Sequence, residues 1–581
     1  MRLQGLILDD GAPQSLFVRG GSQENGAVSI KAGCSASFDT YYNSFSYTKY
    51  RRFTRVSSIE FRLEICGCAE ISLCVYDTSE HIICCASQTS GSVSLTAELS
   101  KLPENGFMYA RVNAETDCRI MSAEYHTAAK PDDISACAVI CTYQREEFVY
   151  RSIERFRRGG FSFLNRVFVI DNGNTIDASK ISDGFVTVLP NRNLGGSGGF
   201  ARGLLEARRS GYTHVILMDD DIDCYAETLE RMTALVSLLK RDYSESWLSA
   251  AMIPLDNPTR QYEMGAEWKN GKAKVHKQNV DITDRDTLLD NLNNPGVNYG
   301  GWWTLLMPLS VTDSGLPLPL FIKFDDVEYG LRRRAETEII TMNGIAVRHE
   351  AFDKKTSFVL DYYNLRNELV MEAVRGNLTL CRALKRFWRE VLKECMLYRY
   401  DCCRLVFRAI EDFLCGANLL MERSGEEINK ELIKAAPAMK PLSEIPEWSE
   451  ELRCDDTIKD TRISLLYALT VGGHLLPPFL PDGKVTALPA SRVGAANIFR
   501  RKTVIQYQLG GNIGIVTRRC LPKAVGAIFR AGLLSFRLIF GYGRAQKNFV
   551  DNADRLCSEE AWEARLGLEL SQQKIRTDNS Y

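Results

Sequence analysis

The run His214-Val215-Ile216-Leu217-Met218-Asp219-Asp220-Asp221 constrains this chain more than any other stretch. An apolar segment of strand type stops at three carboxylates. A strand buried on both faces of a parallel sheet reads as a short, almost continuous apolar run. Open α/β sheets bind ligands outside the carboxyl ends of their strands, so the triplet falls where such a sheet places a site. Alternate residues of an extended segment point the same way, so Asp219 and Asp221 can converge while Asp220 points elsewhere. Two converging carboxylates suit a hard divalent cation that keeps coordination positions for phosphate oxygens. A solvated acidic turn is the plainer reading, and the rest of the chain decides between them.

Three upstream strands end in the same manner. Cys137-Ala138-Val139-Ile140-Cys141 runs into Thr142-Tyr143-Gln144-Arg145. Val167-Phe168-Val169-Ile170 ends in Asp171-Asn172-Gly173, and Phe185-Val186-Thr187-Val188-Leu189 ends in Pro190-Asn191-Arg192-Asn193. Helical stretches alternate with these strands, the signature of βαβ units. Four successive strands thus end in ligand-capable residues, which favours the metal reading. Gly196-Ser197-Gly198-Gly199-Phe200-Ala201 also matches the dinucleotide fingerprint, with an acid about 20 positions on. That fingerprint belongs after the first strand of its unit, and here other strands precede it. A small-residue loop opening a helix still lets backbone approach a diphosphate or a sugar.

A chain of 581 residues is too long for one core, and roughly two to four domains are expected. Residues 1–130 hold short β-type runs between turn residues. Two of them, Ile59-Glu60-Phe61-Arg62-Leu63-Glu64-Ile65 and Ser92-Val93-Ser94-Leu95-Thr96-Ala97, alternate as half-buried strands do. A β-sandwich without a catalytic cluster is expected there. Residues 131–380 form the α/β domain, and residues 381–581 a mainly helical, basic domain. From Gly483 to Val550 there is no Asp or Glu, while Arg530 and Arg537 lie seven apart on one helical face. A basic amphipathic helix suits an anionic membrane surface, and a subunit interface or core packing suits it as well. The last residues, 571–581, read as a polar tail.

Net charge is −1, which excludes a general pull toward nucleic acid. The 18 cysteines include no CxxC pair, so neither a zinc finger nor a disulfide scaffold is indicated. Free cysteines in apolar surroundings fit a reducing compartment. The first residues lack the basic and apolar regions of a secretion signal. The apolar window from Ile463 to Pro481 carries Gly472, Gly473, His474 and Pro477, which makes it a poor membrane span. A cytoplasmic protein is expected, peripheral on the inner face of the membrane if the basic region binds there.

Three later stretches complete the chemistry. Trp302 and Trp303 are adjacent and cannot share one strand face, so at least one can line a cavity, where aromatic faces stack on sugar rings; ordinary core is the plainer reading of the pair. Asp325 and Asp326 stand at the start of a helix, where the macrodipole favours negative charge and where one of them can serve as a general base. His349 closes the apolar run Ile345-Ala346-Val347 and can complete an Asp/Asp/His metal site as a neutral imidazole.

Together these motifs resemble the GT-A glycosyltransferase fold, and more closely the polymerising galactofuranosyltransferases of bacterial cell-wall galactan synthesis. The residues that carry the resemblance are 193–200, 218–222, Gly301-Trp302-Trp303-Thr304, 317–326, Tyr329-Gly330-Leu331-Arg332 and Leu365-Arg366-Asn367. The resemblance implies a β-sandwich before the catalytic domain and a helical domain after it. It implies that Asp219, Asp221 and His349 hold Mn²⁺ or Mg²⁺, and that Asp326 is the base for an inverting transfer from UDP-galactofuranose. Asp325 would support acceptor binding, Trp302 and Trp303 would shape the acceptor groove, and Thr142, Arg145, Asp171 and Asn193 would line the nucleotide pocket. Asp220 is left as a structural or sugar-contacting member. Where the family carries Met-Gly-Glu, this chain has Met264-Gly265-Ala266, with Glu267 one place later as the candidate acceptor acid. Asn364 and Arg348 also stand where the family has His and Trp. The expected partners are a UDP-sugar donor, a lipid-linked glycan acceptor and further copies of the chain. The alternatives are a GT-A transferase using UDP-galactopyranose or dTDP-rhamnose, and a non-catalytic carbohydrate-binding protein.

Overall fold

The computed structural model describes residues 1–568, apart from 333–336, 352, 353, 355, 456–464, 478 and 481. The stretch 571–581 and part of the window 463–481 lie outside the described residues.

Two 19-residue strands, Ser58–Tyr76 and Glu80–Glu98, dominate the N-terminal region. All eight strands there are hydrogen-bonded into one sheet. The first long strand pairs Cys118–His126 through its first half and Phe107–Ala114 through its second. The change of partner falls at Cys66-Gly67-Cys68, where Gly67 takes φ +104° and the register slips. A bulge of this kind bends a strand sharply. The second long strand curls so far that Cys84 Sγ lies 3.8 Å from the Thr96 carbonyl oxygen twelve residues along it. The sandwich expected from alternation is therefore one continuous sheet folded back on itself. Buried Arg231 of the neighbouring domain ties into it, donating to the carbonyls of Gly5 and Tyr42 at 2.6 and 2.7 Å.

The next domain is built on a seven-stranded sheet. Its strand order is Val186–Pro190, Leu164–Asp171, Ala136–Thr142, His214–Asp219, Thr304–Pro308, Trp247–Ser249 and Ile339–Ile340. The first four are parallel, and Thr304–Pro308 is antiparallel to both of its neighbours. His214–Asp219 is the central strand, and its four residues from Val215 to Met218 are buried. In chain order the parallel strands run 3-2-1-4, so the order reverses between Ala136–Thr142 and His214–Asp219. Ligand crevices of open α/β sheets form at such a switch. The helix Gly195–Arg209 lies very close to the first strand. A Cβ on Gly203 would come within 2.1 Å of Val139 Cγ1 and one on Gly199 within 2.1 Å of Cys141 Sγ. Gly199, inside the apparent dinucleotide fingerprint, and Gly203, just after it, serve helix–strand contact.

After Leu360 the chain is largely helical. Leu360–Val374, Leu380–Met396, Cys403–Leu414 and the 31-residue Leu521–Asp551 share one apolar core with Leu318, Leu320 and Phe321. The mainly helical reading passed over a four-stranded sheet formed by Lys440–Pro441, Ile513–Arg518, Arg501–Tyr507 and Asp482–Pro489. Its strands are short and rich in Lys and Arg, so their period is hard to see. The long helix is the one among the described residues apolar enough to cross a membrane by length and composition. One face, including Ala531, Leu534 and Leu538, is buried in the helical core. The opposite face exposes Val525, Phe529, Leu533, Phe536 and Phe540. The short helix Glu559–Leu566 then returns to the α/β domain. There Trp562 joins the core beside Phe200 and Leu204, and its indole N–H donates to the Pro317 carbonyl at 2.9 Å.

Candidate active site

The triplet sits across the switch point. Thr142, at the end of the first strand, donates its hydroxyl to Asp220 Oδ2 at 2.8 Å. Arg145 Nη1 lies 2.9 Å from Asp220 Oδ1 and 2.7 Å from Asp221 Oδ2. Asp220 is thus the buried anchor of the turn, which frees its neighbours to face outward from the strand end.

His349 reaches the triplet through a separate three-stranded sheet. Ile222–Asp223 pairs antiparallel with Ala346–His349, with Ile222 opposite His349. His349 Nε2 lies 3.0 Å from Asp221 Oδ1, and Nδ1 lies 2.5 Å from the Glu350 carbonyl oxygen. A carbonyl accepts only, so Nδ1 carries a proton, and Nε2 is the ring nitrogen that faces the carboxylates. Donor atoms of Asp219, Asp221 and His349 all lie within 4.8 Å of one another. Burial, then the charges of Asp221 and Asp220, push the Asp219 carboxyl up to about 7. Carboxylates crowded in this way need a cation to stay charged together.

Asp325 and Asp326 open the helix Asp325–Arg332. Burial, then the charge of Asp326, raises Asp325 to about 7; the Asp219 charge adds to this. Burial also raises Asp326, while the Val327 backbone N–H, 2.8 Å from Oδ1, and the Lys323 charge pull the other way. The loop before them is strained. Phe321, Lys323 and Phe324 take φ values of +76°, +66° and +69°, a region that bulky residues occupy at a cost of order 1–3 kcal/mol each. Arg366 and Asn367 hold the loop by its carbonyls. Arg366 Nη2 donates to Leu320 O at 2.7 Å, and Asn367 Nδ2 to Leu320, Ile322 and Lys323 O at 3.2, 2.8 and 2.9 Å. On its other side the loop rests on Gly195. Ser197 N–H donates to Phe321 O, and a Cβ on Gly195 (φ +71°) would come within 2.1 Å of that oxygen. The glycine-rich turn therefore receives the loop that aims the acidic pair.

Four expected site residues stand elsewhere. Asp171 is buried, and its carboxylate accepts from the backbone N–H groups of Gly173 and Ile176 at 3.0 and 2.8 Å. It shapes the turn that follows Leu164–Asp171. Trp302 is buried edge-on to Phe200 and Tyr329, and Trp303 is buried with its N–H on Ala250 O. Both are core residues behind the site, because the flanking strand is covered on both faces. Glu267 lies on the hairpin Ala266–Lys269/Lys272–Val275 beside Lys269 and Gly296. The acid that faces Asp326 is Glu263, which the sequence reading missed. It is 6% exposed, its Oε1 has no hydrogen-bond partner among the described residues, and burial followed by the Asp326 charge pushes it up to about 8. A Glu two residues before the glycine of Met264-Gly265 was its only signal. Asn193 does line a cavity of about 650 Å³ at the same strand ends, with Tyr143, Asn172, Asn174 and, from the helical side, Arg423 and Ser424.

The profile of the family described as Galactofuranosyltransferase 2 N-terminal matches residues 14–128, and that of Glycosyl transferase family 2 matches residues 137–279. Galactofuranosyltransferase GlfT2 of Mycolicibacterium smegmatis is 24% identical over 579 residues, covering 91% of this chain and 88% of the relative. The chain is a GT-A glycosyltransferase related to the galactofuranosyltransferases. GlfT2 of Mycobacterium tuberculosis is 25% identical over 67% of each chain. GlfT1 of Mycolicibacterium smegmatis is 29% identical over 34% of this chain and 64% of its own length. In this transferase the two profiles meet between the N-terminal sheet and the first strand of the catalytic sheet.

Proposed function

We propose that this transferase moves galactofuranose from UDP-galactofuranose to a hydroxyl of a lipid-linked glycan, with inversion and with the help of Mn²⁺ or Mg²⁺. The observation that carries the reading is the convergence of Asp219, Asp221 and His349 on one small volume, on the same face as Asp325 and Asp326. The donor set fits the ion. Two carboxylates supply hard oxygens, and His349, held at Nδ1 by the Glu350 carbonyl, turns Nε2 to the same volume, where a metal would take the place of a proton. Asp219, Asp221 and His349 would hold the metal, which when bound offsets diphosphate charge on the departing UDP.

The chain's own residues do the rest. Arg145 holds Asp220 and Asp221 in register beside the nucleotide. Asp326, lifted toward neutrality by burial, takes the proton of the acceptor hydroxyl, and a single base with no enzyme nucleophile gives inversion. Glu263 stays protonated beside it and so adds no second charge to the base. The domain division follows the same reading: 1–130 as the N-terminal β unit, 131–380 as the catalytic unit and 381–581 as the C-terminal unit. The exposed apolar face of the helix Leu521–Asp551, bordered by Arg530, Arg537 and Arg544, supports peripheral contact with the cytoplasmic membrane face. Self-association belongs to the reading by analogy alone.

The test is a donor screen with purified protein and Mn²⁺, reading released nucleoside diphosphate. UDP release from UDP-galactofuranose above all other donors supports the assignment. Preference for UDP-galactopyranose or dTDP-rhamnose sinks it, and no turnover of any donor favours a carbohydrate-binding role.

A further inference from the structure

Two adjoining cavities lie where the N-terminal sheet meets the α/β domain. One, of about 480 Å³, is lined among others by Phe53, Tyr243, Asn294 and Asn298, and the other, of about 880 Å³, by Asn105, Leu289 and Leu292. Both fall in the size range of small-ligand sites, about 300–1,000 Å³. Lys49, Arg52 and Asn293 line both of them. Lys49 and Arg52 belong to the helix Tyr47–Phe53, and Asn293 follows the helix Arg285–Asn291, so the shared wall joins the two domains. Lys49 is 7% exposed, and its ammonium makes no hydrogen bond or ion pair with any described residue. Burial, then the Arg52 charge, lowers it to about 8, while Glu338 pulls the other way. The nearby acids have partners of their own: Glu338 pairs with Arg52 at 2.6 Å and Asp77 with His81 at 2.9 Å. A buried cation without a partner is costly, and folded proteins rarely leave one so.

The composition of the walls narrows the ligand. In the smaller cavity Lys49 and Arg52 stand against Asp242 and Glu338, and in the larger one Lys49, Arg51 and Arg52 stand against Asp77 and Glu104. Arg51 is further committed to the carbonyls of Leu99 and Leu102, each at 3.3 Å, and of Glu104. Walls so nearly balanced do not select an oxyanion. What they leave unused is the Lys49 ammonium and the exposed amides of Asn105 and Asn293, whose side chains make no hydrogen bond with any described residue. An ammonium only donates, whereas an amide both donates and accepts, and hydroxyls do both. Half-buried Leu289 and Leu292 add an apolar surface for the C–H faces of sugar rings. A neutral, polyhydroxylated chain uses all of these groups, and a free phosphate would use Lys49 alone. The wall also runs to the acceptor side of the transfer site. Asn294 donates its amide to the Met264 carbonyl, and the residue before Met264 is Glu263, the acid that faces Asp326.

We propose that these cavities hold sugar residues of the glycan acceptor remote from the reacting hydroxyl, with Lys49 Nζ donating to their oxygens and Asn105 and Asn293 exchanging hydrogen bonds with their hydroxyls. The proposal rests on the glycan-acceptor reading. It gives the N-terminal β unit a share in substrate binding, through the helix Tyr47–Phe53.

Calorimetry on the full-length protein tests it with a galactofuranosyl hexasaccharide, a galactofuranosyl disaccharide and inorganic phosphate. The hexasaccharide is expected to bind at least tenfold more tightly than the disaccharide. Lys49→Met should bring it to the level of the disaccharide. Asn293→Trp should do the same, filling the shared wall from an exposed position that leaves the core intact. With Mn²⁺ and donor, both variants should raise KM for the hexasaccharide at least tenfold and leave kcat and KM for the disaccharide unchanged. Wild-type protein that binds the hexasaccharide no more tightly than the disaccharide overturns the proposal, and so does hexasaccharide binding that survives both variants. Phosphate binding that is lost in Lys49→Met, with the hexasaccharide unaffected, makes this an anion site and overturns it as well. The calorimetry needs no turnover, so failure of the donor screen leaves the binding result standing and the two readings fail separately.

Discussion

Asn367 Nδ2 donates to the Lys323 carbonyl oxygen at 2.9 Å, 44 positions apart in the chain. The same amide group reaches the carbonyls of Ile322 and Leu320. Three backbone acceptors in a strained loop thus share one fully buried side chain, with Arg366 a second donor to Leu320 O. Asn367→Ala takes that shared donor away, a loss of about 1–3 kcal/mol. Asn367→Asp sets a carboxylate against three oxygens and should be worse. Thermal unfolding should show both, and turnover should fall at least tenfold with UDP affinity unchanged. A normal kcat in Asn367→Ala would mean that the loop holds its shape unaided.

Asp326→Asn should keep UDP binding and abolish transfer, because an amide accepts no proton from the acceptor. A loss of about 10²–10⁴ in kcat is the range for a general base. Unchanged turnover in a coupled UDP-release assay would remove Asp326 from that role.

Asp221→Asn should weaken UDP binding in the presence of Mn²⁺ and make little difference in its absence. It takes a charge from the metal set and from Arg145 together. Calorimetry with and without EDTA checks this, and identical wild-type binding in the two conditions counts against a metal at this site.

Glu263→Gln tests the buried acid beside the base. Its folded value of about 8 lies above the ordinary carboxyl value of about 4.3. The folded state therefore holds this proton more tightly than the unfolded chain does. Stability from Glu263 is fully present below about pH 4 and is lost as pH rises through 8. The variant should lack that decline and gain about 2–5 kcal/mol relative to wild type by pH 9. Parallel stability curves between pH 6 and 9 would show that Glu263 is ionised throughout.

The catalytic sheet was readable because its strands are buried on both faces and stop abruptly at polar residues, as His214–Asp219 does. The acidic pair and His349 were readable for the same reason, each closing or following an apolar run. Contacts between remote segments left no local trace. Nothing in the period around Asn367 indicates that its side chain serves a loop 44 residues earlier, and Glu263 reads as one more strand residue. Trp302 and Trp303 misled because aromatic pairs serve a groove and a core equally well. Asp171 misled because a carboxylate at a strand end satisfies its own turn as readily as it faces a ligand. The sheet around Arg501–Tyr507 was lost in a basic region where charge obscures the two-residue period.

Trp562 has a consequence for how the enzyme comes into being. Its indole completes the apolar layer around Phe200 and Leu204, though some 350 residues of chain separate them. A growing polypeptide that has already emitted every catalytic motif, His349 included, still lacks a piece of the core on which those motifs rest. Domains generally fold as they leave the ribosome, N-terminal first. Here the catalytic unit must wait, half-packed, for a helix made more than two hundred residues after His349. Activity should therefore appear late in synthesis and all at once, and a nascent chain should be unable to begin work on a substrate it cannot finish.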